Sequence, residues 1–163
     1  MRFTLTHVID ADVDHFWKVF FDEAFNRALV QDHANMEVLE AYTAPDGKRH
    51  RKLEYTAKIE LPSFVKKLVG DGRYTEIGDY DPGTGTYSAQ SLPATGSDRF
   101  TNRFELRARA LSGGRCERIL TMDTTVTMFG VGSMIESLLE RSQRTLQTKL
   151  VAFMNDWIRQ HKA

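Results

Sequence analysis

From Gly132 to about Gln160, apolar residues recur at spacings of three and four: Ile135, Leu138, Leu139, Leu146, Leu150, Phe153, Met154, Trp157 and Ile158. That spacing predicts one long amphipathic helix whose stripe is interrupted only by Ser142. Glu136, Glu140, Arg141, Arg144, Lys149 and Arg159 fall to its wet side. No other stretch predicts a helix of comparable length, so the stripe must lie on a sheet. On that reading an aspartate at Leu139 or Leu146 buries an unpaired charge and unfolds the protein.

Upstream the period is two. Arg2 to Ile9 alternates, with Phe3, Leu5, His7 and Ile9 on one side, and predicts a first strand. Asp10, Asp12 and Asp14 precede Val13, Phe16, Trp17, Phe20 and Phe21, a short amphipathic helix with acids where helix amides are free. A second short helix is predicted over Asp22 to His33, with Phe25, Leu29 and Val30 inward. Strands follow at about Met36 to Thr43 and Lys48 to Glu60, around the turn Ala44-Pro45-Asp46-Gly47. Pro62 to Gly70 predicts a turn or short helical cover. Further strands are predicted at Arg73 to Tyr80, Thr86 to Leu92, Arg99 to Ala110 and Arg115 to Thr127, with a polar loop through Pro93, Gly96 and Ser97. In the last pair Phe100, Asn102, Phe104, Leu106 and Ala108 oppose a face of arginines, threonine and glutamate. One apolar and one charged face predict an antiparallel sheet covered on a single side. The fold class is α+β: about seven strands wrapped around a C-terminal helix, in one domain spanning 1–163.

Charge changes this picture little. Twenty-two basic and 22 acidic side chains balance, which argues against a nucleic-acid partner or an anionic membrane. The one basic run, Lys48, Arg49, His50, Arg51 and Lys52, reads as a solvated stretch beside a turn. Cys116 is the sole cysteine, so no intrachain disulfide forms, as suits a reducing cytoplasm. No signal-peptide pattern and no membrane-spanning apolar run is present, although a transient membrane contact stays open.

Several motifs dissolve on inspection. Gly130-Val131-Gly132 opens a helix, but Ile135 holds the third glycine position of a dinucleotide fingerprint and no later strand completes the unit. Both glycines read as hinges. Asp10-Ala11-Asp12-Val13-Asp14 starts like a calcium loop, yet His15 and Phe21 stand where glycine and glutamate are required. The histidines, at 7, 15, 33, 50 and 161, lack metal-ligand spacing, and no nucleophile-elbow motif occurs. Neither a metal nor a cofactor is expected.

The order of elements resembles the START-like or Bet v 1-like helix-grip fold, the SRPBCC superfamily, over essentially the whole chain. The likeness rests on HVIDADVDHFWKVFFD around Asp10 to Asp22, on the glycine-containing lead-in MFGVGSMIESLLERS, and on LPSFVKKLVGDGRYTEIGDYD, which is similar to bacterial members of unassigned function. The resemblance implies a cavity between sheet and helix that takes a lipid, a sterol-like compound or an aromatic polyketide. The register predicts its lining: Leu53, Tyr55, Tyr74, Tyr87, Asn102, Phe104, Leu106, Leu120, Met122, Thr124, Leu139 and Leu146. Asn102 and Thr124 interrupt apolar faces, and a buried amide or hydroxyl needs a partner that a ligand can supply. Binding or transport of a small apolar ligand is the first reading. A cyclase or dehydratase in the same cavity is the alternative, with Tyr55, Glu76 and His7 as acid–base candidates. A ligand-free scaffold that docks a partner through the basic run is the third.

Overall fold

The computed structural model describes residues 1–58, 63, 66, 67, 70–95 and 98–162. The expected strand end at Ile59 and Glu60, most of the expected cover from Pro62 to Gly70, and the loop at Gly96 and Ser97 lie outside them. The alternating stretches become strands β1 (Arg2–Ile9), β2 (Ala34–Thr43), β3 (Arg49–Ala57), β4 (Arg73–Asp81), β5 (Thr86–Pro93), β6 (Phe100–Leu111) and β7 (Arg115–Val126). Helices α1 (Val13–Phe20) and α2 (Glu23–Val30) follow β1, and α3 (Gly132–Gln160) closes the chain. The strands form one antiparallel sheet in the order β1-β7-β6-β5-β4-β3-β2, the helix-grip arrangement. Its one non-sequential neighbour pair, β1 and β7, sets Phe3 against Met122 and Leu5 against Leu120.

Local chemistry sets the helix starts. The Asp12 carboxylate accepts the His15 amide at 2.8 Å, so the acidic run caps α1. Asp22 caps α2 in the same way, through the amides of Ala24 and Phe25. At α3 no side chain caps the first turn. Gly130 instead takes a φ of 79°, and a Cβ on Gly132 would stand 2.7 Å from the Val126 carbonyl oxygen. Only a glycine there lets the helix start against the end of β7. Glu136, expected on the wet side, turns inward to accept the Val126 amide at 2.9 Å and faces the N-terminal ammonium at 3.4 Å.

The helix stripe is rotated from its expected position. Ile135, Gln147, Val151, Met154 and Ile158 are buried and Leu139 is half-buried, whereas Leu138 and Leu146 are 43 % and 45 % exposed. Leu146 therefore corrects the expectation that its stripe lies wholly against the sheet. Phe153 and Trp157, on the same flank as Leu146, are covered by Phe25 of α2, their ring centroids 5.9 and 5.7 Å from it. Nothing of that kind stands over Leu146 among the described residues.

The helices pack chiefly on four strands: α3 on β1 and β7, α1 on β6 and β7, α2 on β2. Over β3 to β5 the aromatic rings of the α1–α2 corner reach out instead. Trp17 meets Tyr80 at 4.6 Å and Phe20 meets Tyr87 at 4.9 Å. The apolar core consequently falls into three clusters. The largest joins β1, β5 to β7, α1, α2 and the C-terminal half of α3. A second holds Met36, Leu53 and Tyr55, and a third Val126 and Ile135 with Phe100 and Leu139 packed on them.

On the outer face His50 lies between the carboxylates of Asp79 on β4 (2.8 Å) and Glu40 on β2 (3.0 Å), tying three strands together. These hydrogen bonds, Asp79's foremost, raise its pKa above the ordinary 6.5 despite partial burial.

Two outcomes follow from this packing. Leu146→Asp should cost about 1 kcal/mol or less in urea denaturation, while Met154→Asp, 1 % exposed in the wild type, should leave no folded protein. Because folding raises the His50 pKa, its clip stabilises fully below about pH 6.5 and fades as pH climbs through the raised value. The melting-temperature gap between wild type and His50→Gln should therefore be largest near pH 6 and close toward pH 9.

Candidate functional site

Pairing register lays the inward side chains out in rungs. Leu53, Glu76, Ser91, Asn102 and Thr124 are successive cross-strand partners from β3 to β7. The next rung runs Arg51, Gly78, Ala89, Phe104, Met122, and the one after it Arg49, Tyr80, Tyr87, Leu106, Leu120. One polar rung thus crosses the concave face in the region between the three apolar clusters.

At its edge sits a buried ion pair. Arg51 Nη2 donates to Glu76 Oε1 at 3.0 Å, and the Tyr87 hydroxyl donates to the same oxygen at 2.7 Å. Arg51 Nε donates to the Tyr87 oxygen at 3.0 Å, and Nη1 to the Phe20 carbonyl at 3.2 Å. The guanidinium also lies over the Phe20 ring, 4.3 Å from its centroid. Burial by itself lowers the pKa of Arg51, but Glu76, then Tyr87 and Tyr55, carry it above its ordinary value. Burial and the adjacent Glu76 charge raise that of Tyr87. Glu76 Oε1 is committed twice, whereas Oε2 makes no hydrogen bond among the described residues. The arrangement depends on Gly78, since a Cβ there would stand 2.0 Å from the Tyr87 hydroxyl oxygen.

Around this pair the other expected residues separate into groups. Leu53, Leu106, Leu120 and Met122 are buried in the packed core. Tyr87 is wholly buried. Tyr55 stacks on Tyr74 with centroids 5.0 Å apart; desolvation, then Glu76, pushes the pKa of both upward, Tyr74 to about 12. Tyr74 is nonetheless 38 % exposed, so the stacked pair stands at the border of the site. Phe104 and Asn102 are half-buried. Thr124 donates to Asn102 Oδ1 at 2.9 Å, so these two satisfy each other without a ligand. His7 faces α3 from β1, away from the Glu76 rung, so the acid–base candidates do not form one constellation. Leu139 joins the third cluster and Leu146 stands open.

Arg51 is the residue that the sequence reading missed. Counted with Leu53 and Tyr55 in period two, it belongs to the inward face; grouped with its charged neighbours, it looked solvated. Register splits that basic run: Arg49 lies over the Phe21 ring at 3.9 Å, Arg51 is ion-paired inside, and only Lys48, His50 and Lys52 point outward. Arg118 and Gln147, buried partners at 2.7 Å, were missed for the same reason. A depression of about 390 Å³ lies on the outer face between Arg2, Ser88, Arg103 and Asp123, with Ala89 and Phe104 also in its lining. Cys116 is buried, which holds its thiol up at about 11, and it makes a poor nucleophile. Among the described residues no cluster of His, Cys, Asp and Glu could hold a metal ion, and no helix is long and apolar enough to cross a membrane.

Comparison with known proteins places this geometry among relatives. The family described as "Protein of unknown function (DUF2505)" matches residues 4–158. No curated protein matches the chain. A START superfamily protein from Mycobacterium smegmatis superposes with a TM-score of 0.63 at 13 % identity, covering 99 % of each chain. The Zhui aromatase/cyclase from Streptomyces sp. R1128 gives 0.68 at 17 % identity, over 97 % of this chain and 94 % of that one. Norcoclaurine synthase from Thalictrum flavum, in complex with dopamine and hydroxybenzaldehyde, gives 0.69 at 13 % identity, over 100 % and 88 %. These likenesses establish the helix-grip fold.

Gly78→Ala tests how far the ion pair depends on the missing side chain. It should displace Tyr87 and destabilise the protein by about 1–3 kcal/mol in denaturant, whereas Gly113→Ala, at a hairpin tip with no neighbour near its Cβ, should leave Tyr87 fluorescence and near-ultraviolet dichroism unchanged.

Proposed function

Since the chain belongs to the family "Protein of unknown function (DUF2505)", whose description assigns no activity, we propose from its own geometry that it binds a small apolar molecule between the concave face and the N-terminal half of α3. The observation that carries this reading is the interrupted core. Three apolar clusters flank the middle of the concave face, Tyr74 is 38 % exposed, and Leu138 and Leu146 present an uncovered flank of α3. Apolar walls with a few placed polar groups are what a small-molecule site requires. Glu76 Oε2 and the Tyr55 and Tyr74 hydroxyls supply those groups. The ligand class is a lipid, a sterol-like compound or an aromatic polyketide; the last is in keeping with the aromatase/cyclase and norcoclaurine synthase that share the fold. The same reading takes 1–163 as one domain working in the cytoplasm.

A cyclase or dehydratase is the second reading, and Glu76 favours it. Its carboxylate is held by Arg51 and Tyr87 through one oxygen, and the other makes no hydrogen bond among the described residues, as an acid–base group requires. The docking scaffold loses its support, because the basic run does not form one surface.

Organic extraction of freshly purified protein, followed by mass spectrometry, should release an apolar compound in near-stoichiometric amount. Leu146→Lys should lower affinity for a neutral apolar fluorophore by about tenfold, the cost of setting a charge in the wall, with its melting temperature within a degree or two of wild type. Unchanged affinity in that variant would remove the cleft from consideration. Glu76→Gln separates the two readings: a carrier keeps its ligand, and an enzyme keeps the ligand but stops converting it.

A further inference from the structure

The polar rung across the concave face holds side-chain oxygens that the fold leaves unbonded and open to solvent. Glu76 Oε1 accepts from Arg51 and Tyr87, whereas Oε2 accepts from nothing among the described residues. The Glu76 side chain keeps 12 % of its surface accessible. Among the described residues the buried side-chain atoms that lack a partner lie on His7 and Arg118, so Glu76 Oε2 is unbonded without being sealed in. The same holds for the hydroxyls of Tyr55 and Ser91. Ser91 is the direct cross-strand partner of Glu76, which sets their Cβ atoms about 4.5–5.5 Å apart. Tyr55 and Tyr74, partners on β3 and β4, stand close enough to Glu76 for its charge to add to the upward push of burial on their pKa values. Tyr74 lies nearly parallel to Tyr55, at 17°, and still exposes 38 % of its surface.

We propose that Glu76 Oε2 and Ser91 Oγ hold the hydroxyl group of a neutral apolar ligand, which donates to the carboxylate and accepts from the serine. This rests on the cleft reading and makes its occupant a phenol or an alicyclic alcohol. An ionised carboxylate only accepts, so the head group must bring a hydrogen to it. An ether brings none. An acid would set a second negative charge against the same oxygen, and the guanidinium beside it is spent: Arg51 Nε, Nη1 and Nη2 each already have a partner. Arg51 and Glu76 together carry no net charge, which suits a neutral head. The exposed part of Tyr74 offers a ring to stack on and so favours the phenol of the two.

The test ranks 2-naphthol, 2-methoxynaphthalene and 2-naphthoate by displacement of a neutral naphthylamine fluorophore from the full chain, with decahydro-2-naphthol as the saturated counterpart. Wild type should bind 2-naphthol about tenfold or more tightly than its methyl ether, the worth of a hydrogen bond to a charged acceptor, and the naphthoate should bind weakest. The saturated alcohol separates the two sources: weaker binding than 2-naphthol assigns the site to a phenol, equal or tighter binding to an alicyclic alcohol, and both support a hydroxyl head. In Glu76→Gln the donors Arg51 and Tyr87 fix the amide oxygen on their side and turn its N–H toward the ligand, so the methyl ether should rise to the affinity of the naphthol. Equal affinity for naphthol and ether in wild type, naphthoate bound more tightly than naphthol, or an ether that stays weak in Glu76→Gln overturns the proposal and leaves the cleft reading standing. Binding of no probe overturns both. Should Glu76→Gln fail to fold, the wild-type complex decides: 2-naphthol donating to a carboxylate absorbs to the red of its band in an apolar solvent, and absence of that shift overturns the assignment.

Discussion

One helix cannot cover seven strands. At about 4.8 Å per strand the sheet is roughly 30 Å across, while a helix with its side chains is about 10–12 Å wide. Everything distinctive in this protein follows from how that mismatch is handled. The long helix lies over β1 and β7, where the two ends of the chain meet, and the two short helices cover β6, β7 and β2. The middle strands are left to side chains. Phe20, Phe21, Tyr80 and Tyr87 close one end of the concave face with a nest of rings. At the other end, beyond the Glu76 rung, the stacked Tyr55 and Tyr74 and the small cluster around Val126 and Ile135 form separate patches.

The boundary between the closed and the open end is marked by charge. Arg51, Glu76 and Tyr87 sit where the aromatic nest stops, each satisfied by the others. A buried pair of this kind contributes little net stability compared with apolar packing, because desolvating two ions offsets most of their attraction. What it does achieve is placement: three strands and the end of α1 converge on one guanidinium, and a carboxylate is held on the concave face of the sheet. Both a carrier that orients its ligand and an enzyme that moves a proton need such a group, which is why the fold shared with cyclases and START proteins does not choose between them. The choice lies in which polar atoms remain unsatisfied once the fold is complete. Among the described residues the buried side-chain atoms of this kind lie on Arg118 and His7.

The sequence by itself determined the elements, because they depend on local periodicity and capping. The period-two runs, the acids before α1 and α2, and the glycines before α3 each act through neighbours a few residues away, so β1, β4 to β7 and α3 lie within a residue or two of their expected limits. The inward face of each strand was legible for the same reason, and with it the burial of Leu53, Tyr55, Leu106, Leu120 and Met122. Only the tertiary structure decided the rest. Period two places Arg51 and Arg118 among apolar residues, but whether a buried arginine is ion-paired depends on β4 and α3, which are distant in the chain. The stripe of α3 named the residues that can be covered and could not say which would be, since that depends on where α2 ends. Phe25 reaches Phe153 and Trp157, while Leu146 stays 45 % exposed. Coverage is a property of pairs of elements, and no single stretch of chain encodes it.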